Sequence, residues 1–441
     1  MGLRDRNPIY KNSGLFMKFP FYILLFISFI VSGCATDTPV TPLIVKESPN
    51  TPTTKTDKKM SHKPPKKGVC ADAKAPPLSL CADTVTATFD NKGTLWAVWT
   101  NNESIYVQSS TDKGNRFTAP VLVNAKPETV AAENESRPKI KVDAKGNIYL
   151  TWVITLDKKR STYVRFSRST DGGKHFSTPV TVNDNLEVIR HRFDSLAVGK
   201  NGEIFVAWLD ARDTEASKKA GKEFKGLTLY YSTSTDGGKH FSPNKAIAEH
   251  VCECCRIDTT IASDNTPVVV WRHIFDGGIR DHALVKFKDW QTPDTMQRLS
   301  QENWKIDACP HHGPAITVAK SGIYHAVWFS GAESKQGLFY GYSTDQGKHF
   351  SESINFAKEG ASHPFVLAVN KQVFVTWQTF DGKTNRALVM KSNDEGKTWS
   401  APNVLAETTE MADEPFLVSD GQGVYLSWHV TQKEYQLIAI Q

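Results

Sequence analysis

Short apolar stretches that end in tryptophan recur along the chain, as in Ile148–Trp152 and Ile204–Trp208. Apolar and aromatic residues bounded by turn-forming residues are typical of a buried β-strand. The stretches end at Trp99, Trp152, Trp208, Trp271, Trp328, Trp377 and Trp428, with spacings of 53, 56, 63, 57, 49 and 51 residues. A repeat of about 50 residues predicts a β-propeller with one blade per repeat.

A second motif, Ser-x-Asp-x-Gly-x-x-aromatic, occurs five times between these stretches. Its aspartate can accept backbone N–H bonds across the turn, its glycine can adopt positive φ, and its aromatic side chain can pack into the blade. We therefore expect a structural role for the five aspartates, which are Asp112, Asp171, Asp236, Asp345 and Asp394.

Because of these five motifs, residues 82–441 resemble the Asp-box (BNR repeat) propellers, a superfamily that includes the sialidases. The resemblance implies an all-β fold made of four-stranded blades. Familiar sialidase propellers have six blades, which is the alternative, but the seven tryptophans predict seven. The last repeat ends before a fourth strand, so we expect an N-terminal strand near Pro77–Ala82 to close the ring, pinned by a Cys70–Cys81 disulfide.

The N-terminal region predicts export and lipid anchoring. Phe19–Val31 is a 13-residue apolar run, too short for a membrane span and suited to a signal peptide. Val31-Ser32-Gly33-Cys34 resembles a bacterial lipobox, which implies cleavage before Cys34 and lipidation of its thiol. We expect residues 1–33 to be the signal peptide, 34–68 a Pro/Thr/Lys-rich tether and 69–441 the propeller, with the outer membrane as the favoured location.

Charge argues against a nucleic-acid partner. The chain has a net charge of +6, yet residues 1–68 hold 11 of its basic and 4 of its acidic residues. The remainder therefore has 42 basic and 43 acidic residues (53 − 11 and 47 − 4), without the basic excess that nucleic-acid binding requires. We expect a monomer whose partners are the membrane and a glycan or envelope protein.

The strand order places the linkers between blades on one face of the propeller, near the central channel. Three linkers place an arginine there, at Arg137, Arg192 and Arg256, and two later linkers add His363 and Glu414. Guanidinium groups bind carboxylates bidentately, so these residues predict a binding site for an anionic ligand.

Cysteines cluster in two of the same linkers. Cys252, Cys254 and Cys255 precede the fourth blade, and Cys309 precedes the fifth together with His311 and His312. In an exported protein they could form disulfides. They could instead bind copper or zinc, because thiolate and imidazole ligands suit these metals, and soft Cu(I) most of all. A redox role is the third alternative, and no cofactor is certain.

Three functions remain open at this stage. One is a non-catalytic propeller that binds an anionic glycan or protein at the cell envelope. Another is an exo-α-sialidase-type hydrolase, in which the resemblance implies an arginine clamp and an acid among Asp194, Asp210 and Asp258. The last is a copper- or zinc-binding lipoprotein. Whether the protein is an enzyme is left undecided, because the sequence supplies no complete catalytic set.

Overall fold

The computed structural model describes Cys70 and residues 78–132, 135–156, 160–308, 310–431 and 435–441. Predictions that concern residues 1–69, including lipidation of Cys34, lie outside this range, as does Cys309. The described chain forms seven antiparallel sheets in sequence order around a ring, which confirms a seven-bladed β-propeller. Six sheets have four described strands and the seventh has three.

The first three blades consist of strands β1 to β12, paired in chain order. Blade 1 contains β1 Val85–Phe89, β2 Leu95–Asn101, β3 Ser104–Ser110 and β4 Val121–Leu122. Blade 2 contains β5 Lys139–Val142, β6 Ile148–Thr155, β7 Thr162–Ser169 and β8 Val180–Thr181. Blade 3 contains β9 His191–Val198, β10 Ile204–Asp210, β11 Leu227–Ser234 and β12 Lys245–Val251.

The other four blades follow the same order. Blade 4 contains β13 Asp258–Ile261, β14 Pro267–Arg272, β15 His282–Lys286 and β16 Gln297–Arg298. Blade 5 contains β17 Ala315–Val318, β18 Tyr324–Ala332, β19 Lys335–Ser343 and β20 Ile354–Ala357. Blade 6 contains β21 Ala361–Val369, β22 Gln372–Phe380, β23 Asn385–Ser392 and β24 Asn403–Thr408, and blade 7 contains β25 Phe416–Ser419, β26 Val424–His429 and β27 Tyr435–Ile440.

The hydrophobic cores lie between neighbouring blades. All seven predicted tryptophans stand in the second strand of a blade and are at most 2% exposed. Trp208 of blade 3, for example, packs against Tyr149, Val153 and Phe166 of blade 2. Large aromatic side chains bury roughly 150–250 Å² each, so one tryptophan per blade supplies much of the apolar contact that fixes the ring.

The first and last blades contact each other as the other neighbouring blades do, and these contacts close the ring. The innermost strand β1 lies beside both β5 and β25. A Cβ added to Gly114, in the first Ser-x-Asp-x-Gly turn, would lie 3.7 Å from Leu437 of blade 7. The corresponding Gly396 faces Tyr340 of the blade before it in the same way. The repeat therefore packs across the seam as it does elsewhere.

The N-terminal segment lies near this seam, but the predicted closing strand is not seen there. Leu78–Cys81 forms a short helix, α1, and the predicted Cys70–Cys81 disulfide is present. Leu78 and Cys81 pack in one apolar cluster with Trp99 of blade 1 and Tyr435 of blade 7. Apolar side-chain packing, rather than strand pairing, thus holds this segment in place.

The five Ser-x-Asp-x-Gly turns share one pattern of local hydrogen bonds. In each, the aspartate Oδ1 accepts the backbone N–H of the residue four positions further on, at 2.8–3.1 Å. In all five, the serine Oγ donates to the aspartate Oδ1 at 2.7–2.8 Å. The glycine N–H donates to the serine Oγ at 2.8–3.0 Å. We call the side of the propeller that carries these turns the turn face.

The opposite side carries the linkers between blades and the loops that join second to third strands, and we call it the linker face. One such loop contains the helix α2, Arg212–Lys219, and another a 3₁₀ turn at Asp276–Gly278. Neither α1 nor α2 has the length or apolar character of a transmembrane helix.

Candidate functional site

Linker residues from several blades meet on the linker face, and the first group centres on Arg137. This side chain is 4% exposed, and its Nη2 lies 2.6 Å from Oε2 of Glu414. Its Nη1 lies 3.6 Å from Asp413, and its guanidinium stacks on the ring of Phe416 at 4.6 Å. Arg137 is thus neutralised by carboxylates of blade 7.

The guanidinium of Arg256 is also held by other groups of the protein. Its Nη1 lies 3.3 Å from Glu135, and its Nη2 donates to the carbonyl of Pro364 at 2.7 Å. Glu135 also accepts the backbone N–H groups of Arg256 and Gly313 at 2.9 and 2.8 Å. Arg137 and Arg256 therefore join blades together and do not form an open clamp. Glu135 was not among the residues that the sequence pattern predicted for the site, although it lies only two residues before Arg137.

Arg192 differs from these two arginines. It is half-buried, stacks on the ring of Phe193 at 4.2 Å, and forms no hydrogen bond or ion pair with a described residue. Burial lowers the pKa of Arg192, and the nearby Arg190 adds to the effect, whereas Cys254 and Glu253 oppose it. An unpaired, partly desolvated guanidinium is suited to receive an anion.

Each of the three candidate catalytic aspartates forms an ion pair or a hydrogen bond with another residue of the protein. Asp194 is 2% exposed and lies 3.2 Å from Lys139. Asp210 is fully buried and accepts hydrogen bonds from Trp208 and Arg212 at 2.9 and 2.8 Å.

Asp258 accepts the backbone N–H of Ile316 at 2.9 Å, and burial raises its pKa. A protonated Asp258 could still act as a general acid, but its hydrogen bond ties it to the next blade. Each of the three carboxylates is thus engaged by at least one group of the protein, and only Oδ2 of Asp194 among their buried oxygens has no hydrogen-bond partner in the described structure.

The histidines form a separate group. His363 lies 3.7 Å from Oε1 of Glu414, and its ring is 4.7 Å from that of His312. His311 is exposed, and its backbone carbonyl lies 3.2 Å from Nε2 of His363. Burial, together with the nearby His363 and Arg272, lowers the pKa of His312 to about 3. The ring of His312 is therefore neutral at physiological pH.

The three cysteines before blade 4 form the most unusual feature of this face. Cys252, Cys254 and Cys255 are free thiols with exposures of 0%, 4% and 1%. Their sulfur atoms are separated by 3.5, 3.8 and 4.0 Å. Within the described part of the chain they are the only cluster of three or more potential metal ligands, and neither His311 nor His312 belongs to it.

Two guanidinium groups accompany the cysteines. Arg280 Nη1 donates to the sulfur of Cys252 at 3.3 Å. Hydrogen bonds from the thiols of Cys254 and Cys255 lower the pKa of Cys252, and the positive charge of Arg272 lowers it as well. Arg272 is 1% exposed. Thiolate formation is therefore favoured at Cys252, whereas burial raises the pKa of Cys255.

Arg272 also explains why the predicted histidines lie apart from the cysteines. Its guanidinium donates to the backbone carbonyls of His312 and Phe329, both at 2.9 Å. The ring of His312 packs instead on Phe329 at 4.4 Å. The sequence pattern located the cysteines and histidines but could not show that an arginine binds the histidine backbone.

Cavities occur on both faces. One of about 480 Å³ lies at the turn-face end of the central channel, lined by turns of blades 2 to 5 that include Asp143, Lys200 and Lys320. Another of about 270 Å³ lies on the linker face, between His250 and Phe275. The larger of these two cavities thus lies on the face opposite the clustered linker residues.

Comparison with known proteins supports the architecture. A polysaccharide lyase of family PL25, an ulvan lyase bound to -[GlcA(1-4)Rha3S]-, is 10% identical, with 83% of this chain and 94% of that chain covered and a TM-score of 0.53. Polysaccharide lyase Uly1 is 9% identical, with 83% and 91% covered and a TM-score of 0.53. The Hadza microbial sialidase Hz136 is 15% identical, with 79% and 76% covered and a TM-score of 0.47.

No protein-family model matches the sequence, and no curated protein matches it. At these identities the two lyases share the propeller fold with this chain, and the fold alone does not determine an activity.

Proposed function

We propose that the linker face binds a soft transition-metal ion through Cys252, Cys254 and Cys255. The observation that carries this proposal is the triangle of sulfur atoms, with sides of 3.5, 3.8 and 4.0 Å. Tetrahedral coordination with metal–sulfur bonds of ~2.3 Å places two ligands about 3.8 Å apart. The three sulfurs are thus spaced as ligands of a single ion.

The same distances argue against a disulfide among these three cysteines. An S–S bond is about 2.05 Å long, and the shortest separation here is 3.5 Å. Soft thiolates favour Cu(I) and Zn²⁺ over harder ions. Because metal binding needs deprotonated thiols, the nearby guanidinium of Arg280 supports the proposal.

Metal titration of the purified, reduced protein tests this proposal. We expect the wild type to bind one equivalent of Cu(I) or Zn²⁺ per chain under anaerobic conditions. The variants Cys252→Ser and Cys254→Ser should each lower the affinity at least a hundredfold.

The double variant Cys70→Ser/Cys81→Ser is the matched control, because it removes two cysteines outside the cluster. It should bind as the wild type does. Absence of stoichiometric binding in the wild type, or equal binding in the Cys252→Ser variant, would refute the proposal.

A second candidate function is the binding of an anionic glycan, and the unpaired Arg192 favours it. Among the described residues, Arg137 and Arg256 are neutralised by carboxylates, whereas the side chain of Arg192 pairs with none. One propeller with the same fold is described as bound to a GlcA–Rha3S oligosaccharide. Because Asp194, Asp210 and Asp258 are occupied, we propose binding and not sialidase-type hydrolysis.

Binding to a panel of carboxylated and sulfated oligosaccharides tests this second candidate. Arg192→Gln should lower the affinity about tenfold or more, because a charge-assisted bidentate contact is lost. Arg386→Gln, which removes an arginine paired with Asp381 and Glu407, should leave the affinity unchanged. An equal effect of the two substitutions would exclude Arg192 as the binding residue.

We also propose that the propeller is exported and anchored to the outer membrane by a lipid on Cys34, as the lipobox-like sequence predicts. Metabolic labelling with a fatty acid should label the wild type but not the Cys34→Ala variant. Labelling of both proteins, or of neither, would contradict the anchor.

A further inference from the structure

We infer that the cysteine cluster selects a monovalent soft ion, Cu(I), over Zn²⁺, and that Arg272 and Arg280 set this preference. The inference rests on the proposed metal site and adds which ion occupies it. Two features carry it, the number of ligands and the charge that surrounds them.

The number of ligands favours copper. Among the described residues the cluster offers three ligand atoms, all of them sulfur. Structural zinc sites are almost always four-coordinate, whereas thiolate ligands are those that select Cu(I). Three thiolates can complete the coordination of Cu(I), whereas a structural zinc ion needs a fourth ligand, which the described residues do not add to the cluster.

The surrounding charge favours copper as well. Three thiolates and one monovalent ion together carry a net charge of −2. Three thiolates and one divalent ion carry a net charge of −1. Arg280 donates to the sulfur of Cys252 at 3.3 Å, and the backbone N–H of Cys252 donates to the carbonyl of Arg272 at 2.9 Å, so both arginines adjoin the cluster. Counting only the three thiolates, the ion and these two guanidinium groups, the assembly with Cu(I) is neutral and the assembly with Zn²⁺ carries one excess positive charge. Uncompensated charge is costly in a buried site, and all three thiols are at most 4% exposed.

Other charged groups nearby leave this difference intact. Glu253 is paired with Arg190 at 2.6 Å, and the fully exposed Asp307 lies 3.5 Å from Arg280. Arg192 contributes one further positive charge near Cys254. The positive charge of Arg192 and the negative charge of Asp307 cancel. The site with the monovalent ion is therefore still the more nearly neutral one.

Arg272 holds its charge in a fixed position. Its guanidinium donates to the carbonyls of Arg280, His312 and Phe329 at 2.8–2.9 Å. It also stacks on the ring of Trp304 at 4.9 Å. None of these partners is a carboxylate, so the positive charge of Arg272 is not cancelled. Its buried Nε has no hydrogen-bond partner in the described structure.

The experiment compares the preference for Cu(I) over Zn²⁺ in the wild type and in Arg280→Gln. Both ions are titrated anaerobically against chelators of known affinity, and the quantity measured is the ratio of the two dissociation constants. Removing a positive charge close to the ion should favour the divalent metal, and Coulomb's law at an effective dielectric constant of about 20 predicts a shift of about tenfold to a hundredfold toward zinc.

Two further variants sharpen the test. Arg280→Lys keeps the charge and should keep the wild-type ratio. Arg298→Gln removes an arginine that pairs with Asp281, not with the cysteines, and should also leave the ratio unchanged. Because Arg280 is less buried than Arg272, its variants are expected to fold, and circular dichroism verifies this.

The possible outcomes distinguish a failure of the ion preference from a failure of the metal site. A shift toward zinc in Arg280→Gln alone supports the inference. An unchanged ratio in that variant, or a wild type that holds zinc in preference to copper, overturns the inference and leaves the metal site standing. A wild type that binds neither ion refutes the metal site itself.

Discussion

The two faces of the propeller satisfy their polar groups in opposite ways. On the turn face, five short motifs form the same local hydrogen bonds, and each aspartate is bonded within its own turn. On the linker face, polar groups depend on residues from distant parts of the chain. Arg137 is paired with Glu414, which lies 277 positions away.

Buried polar atoms without a hydrogen-bond partner occur on both faces among the described residues. Oη of Tyr324 is one on the turn face, and the linker face has Nδ1 of His312, Nε of Arg272 and Oδ2 of Asp194. Most buried polar atoms in folded proteins are satisfied, so an orphaned atom calls for an explanation such as a ligand or an ion. The comparison teaches that the regular face maintains the fold and that the irregular face is where a ligand should bind.

Breaking the charge network of the linker face should have the largest effect on stability. Arg137→Gln leaves the buried Glu414 without its cation, which should cost about 3–5 kcal/mol of unfolding free energy. The exposed pair of Arg386 and Asp381 is the control, and Arg386→Gln should cost less than ~1 kcal/mol. Chemical denaturation measures both, and equal losses would show that the network is not a structural element.

Overfilling a turn should have the next largest effect. Gly173 has φ +78°, and an added Cβ would lie 2.6 Å from the ring of Trp96. Gly172 has φ +73°, and its Cβ would meet nothing within 4 Å. Gly172→Ala should therefore cost only the strain of positive φ, about 1 kcal/mol, and Gly173→Ala about 1–3 kcal/mol more. Equal costs in denaturation would contradict the packing of the turn on blade 1.

Acidification should protonate buried histidines of the linker face before it reaches the aspartates of the turn face. Burial lowers the pKa of His312 to about 3 and that of His273 to about 4. Histidines of the unfolded chain titrate near ~6.5, so the fold favours the neutral rings. Their contribution to stability is present above pH ~6.5 and is lost as the pH falls toward the folded values. His312→Asn should therefore flatten the dependence of Tm on pH between 6.5 and 4, and an unchanged slope would be evidence against the assignment.

The stability contributed by the aspartates of the turn face should be lost at lower pH than that of these two histidines. The loss should also be smaller, because the aspartates are more exposed. A hydrogen bond from Arg116 lowers the pKa of Asp112 to about 2, and one from the backbone of His175 lowers that of Asp171. Unfolded aspartates titrate near ~3.9, so this stabilisation is present above that pH and is lost between about pH 4 and 2. Asp171→Asn should reduce the loss of Tm in this window, whereas substitution of the exposed Glu359 by Gln should not.

The contrast between the faces also explains what the sequence could predict. The turn motifs and tryptophan strands follow local rules, and all seven tryptophans lie in buried β-strands, as the sequence predicts. The predicted N-terminal strand was wrong, because Leu78 and Cys81 bury apolar surface as a helix turn and need no strand pairing.

The linker face was only partly predictable. Its residues were identified because arginine, histidine and cysteine recur at equivalent positions. Pairing of Arg256 with Glu135, 121 positions away, is a property of the closed ring that no local pattern reveals. For the same reason the sequence could not show that, within the described part of the chain, Arg192 is the one of the three arginines without a carboxylate partner and the histidines lie outside the cysteine cluster.

The most direct test of the metal site is the number of sulfur atoms bound to copper in the loaded protein. X-ray absorption spectroscopy at the copper edge should show three sulfur ligands and no nitrogen ligand in the wild type, and fewer sulfurs in the Cys254→Ser variant. Nitrogen or oxygen ligands in place of sulfur, or a spectrum that the substitution leaves unchanged, would contradict the proposal that the cysteine cluster is the binding site.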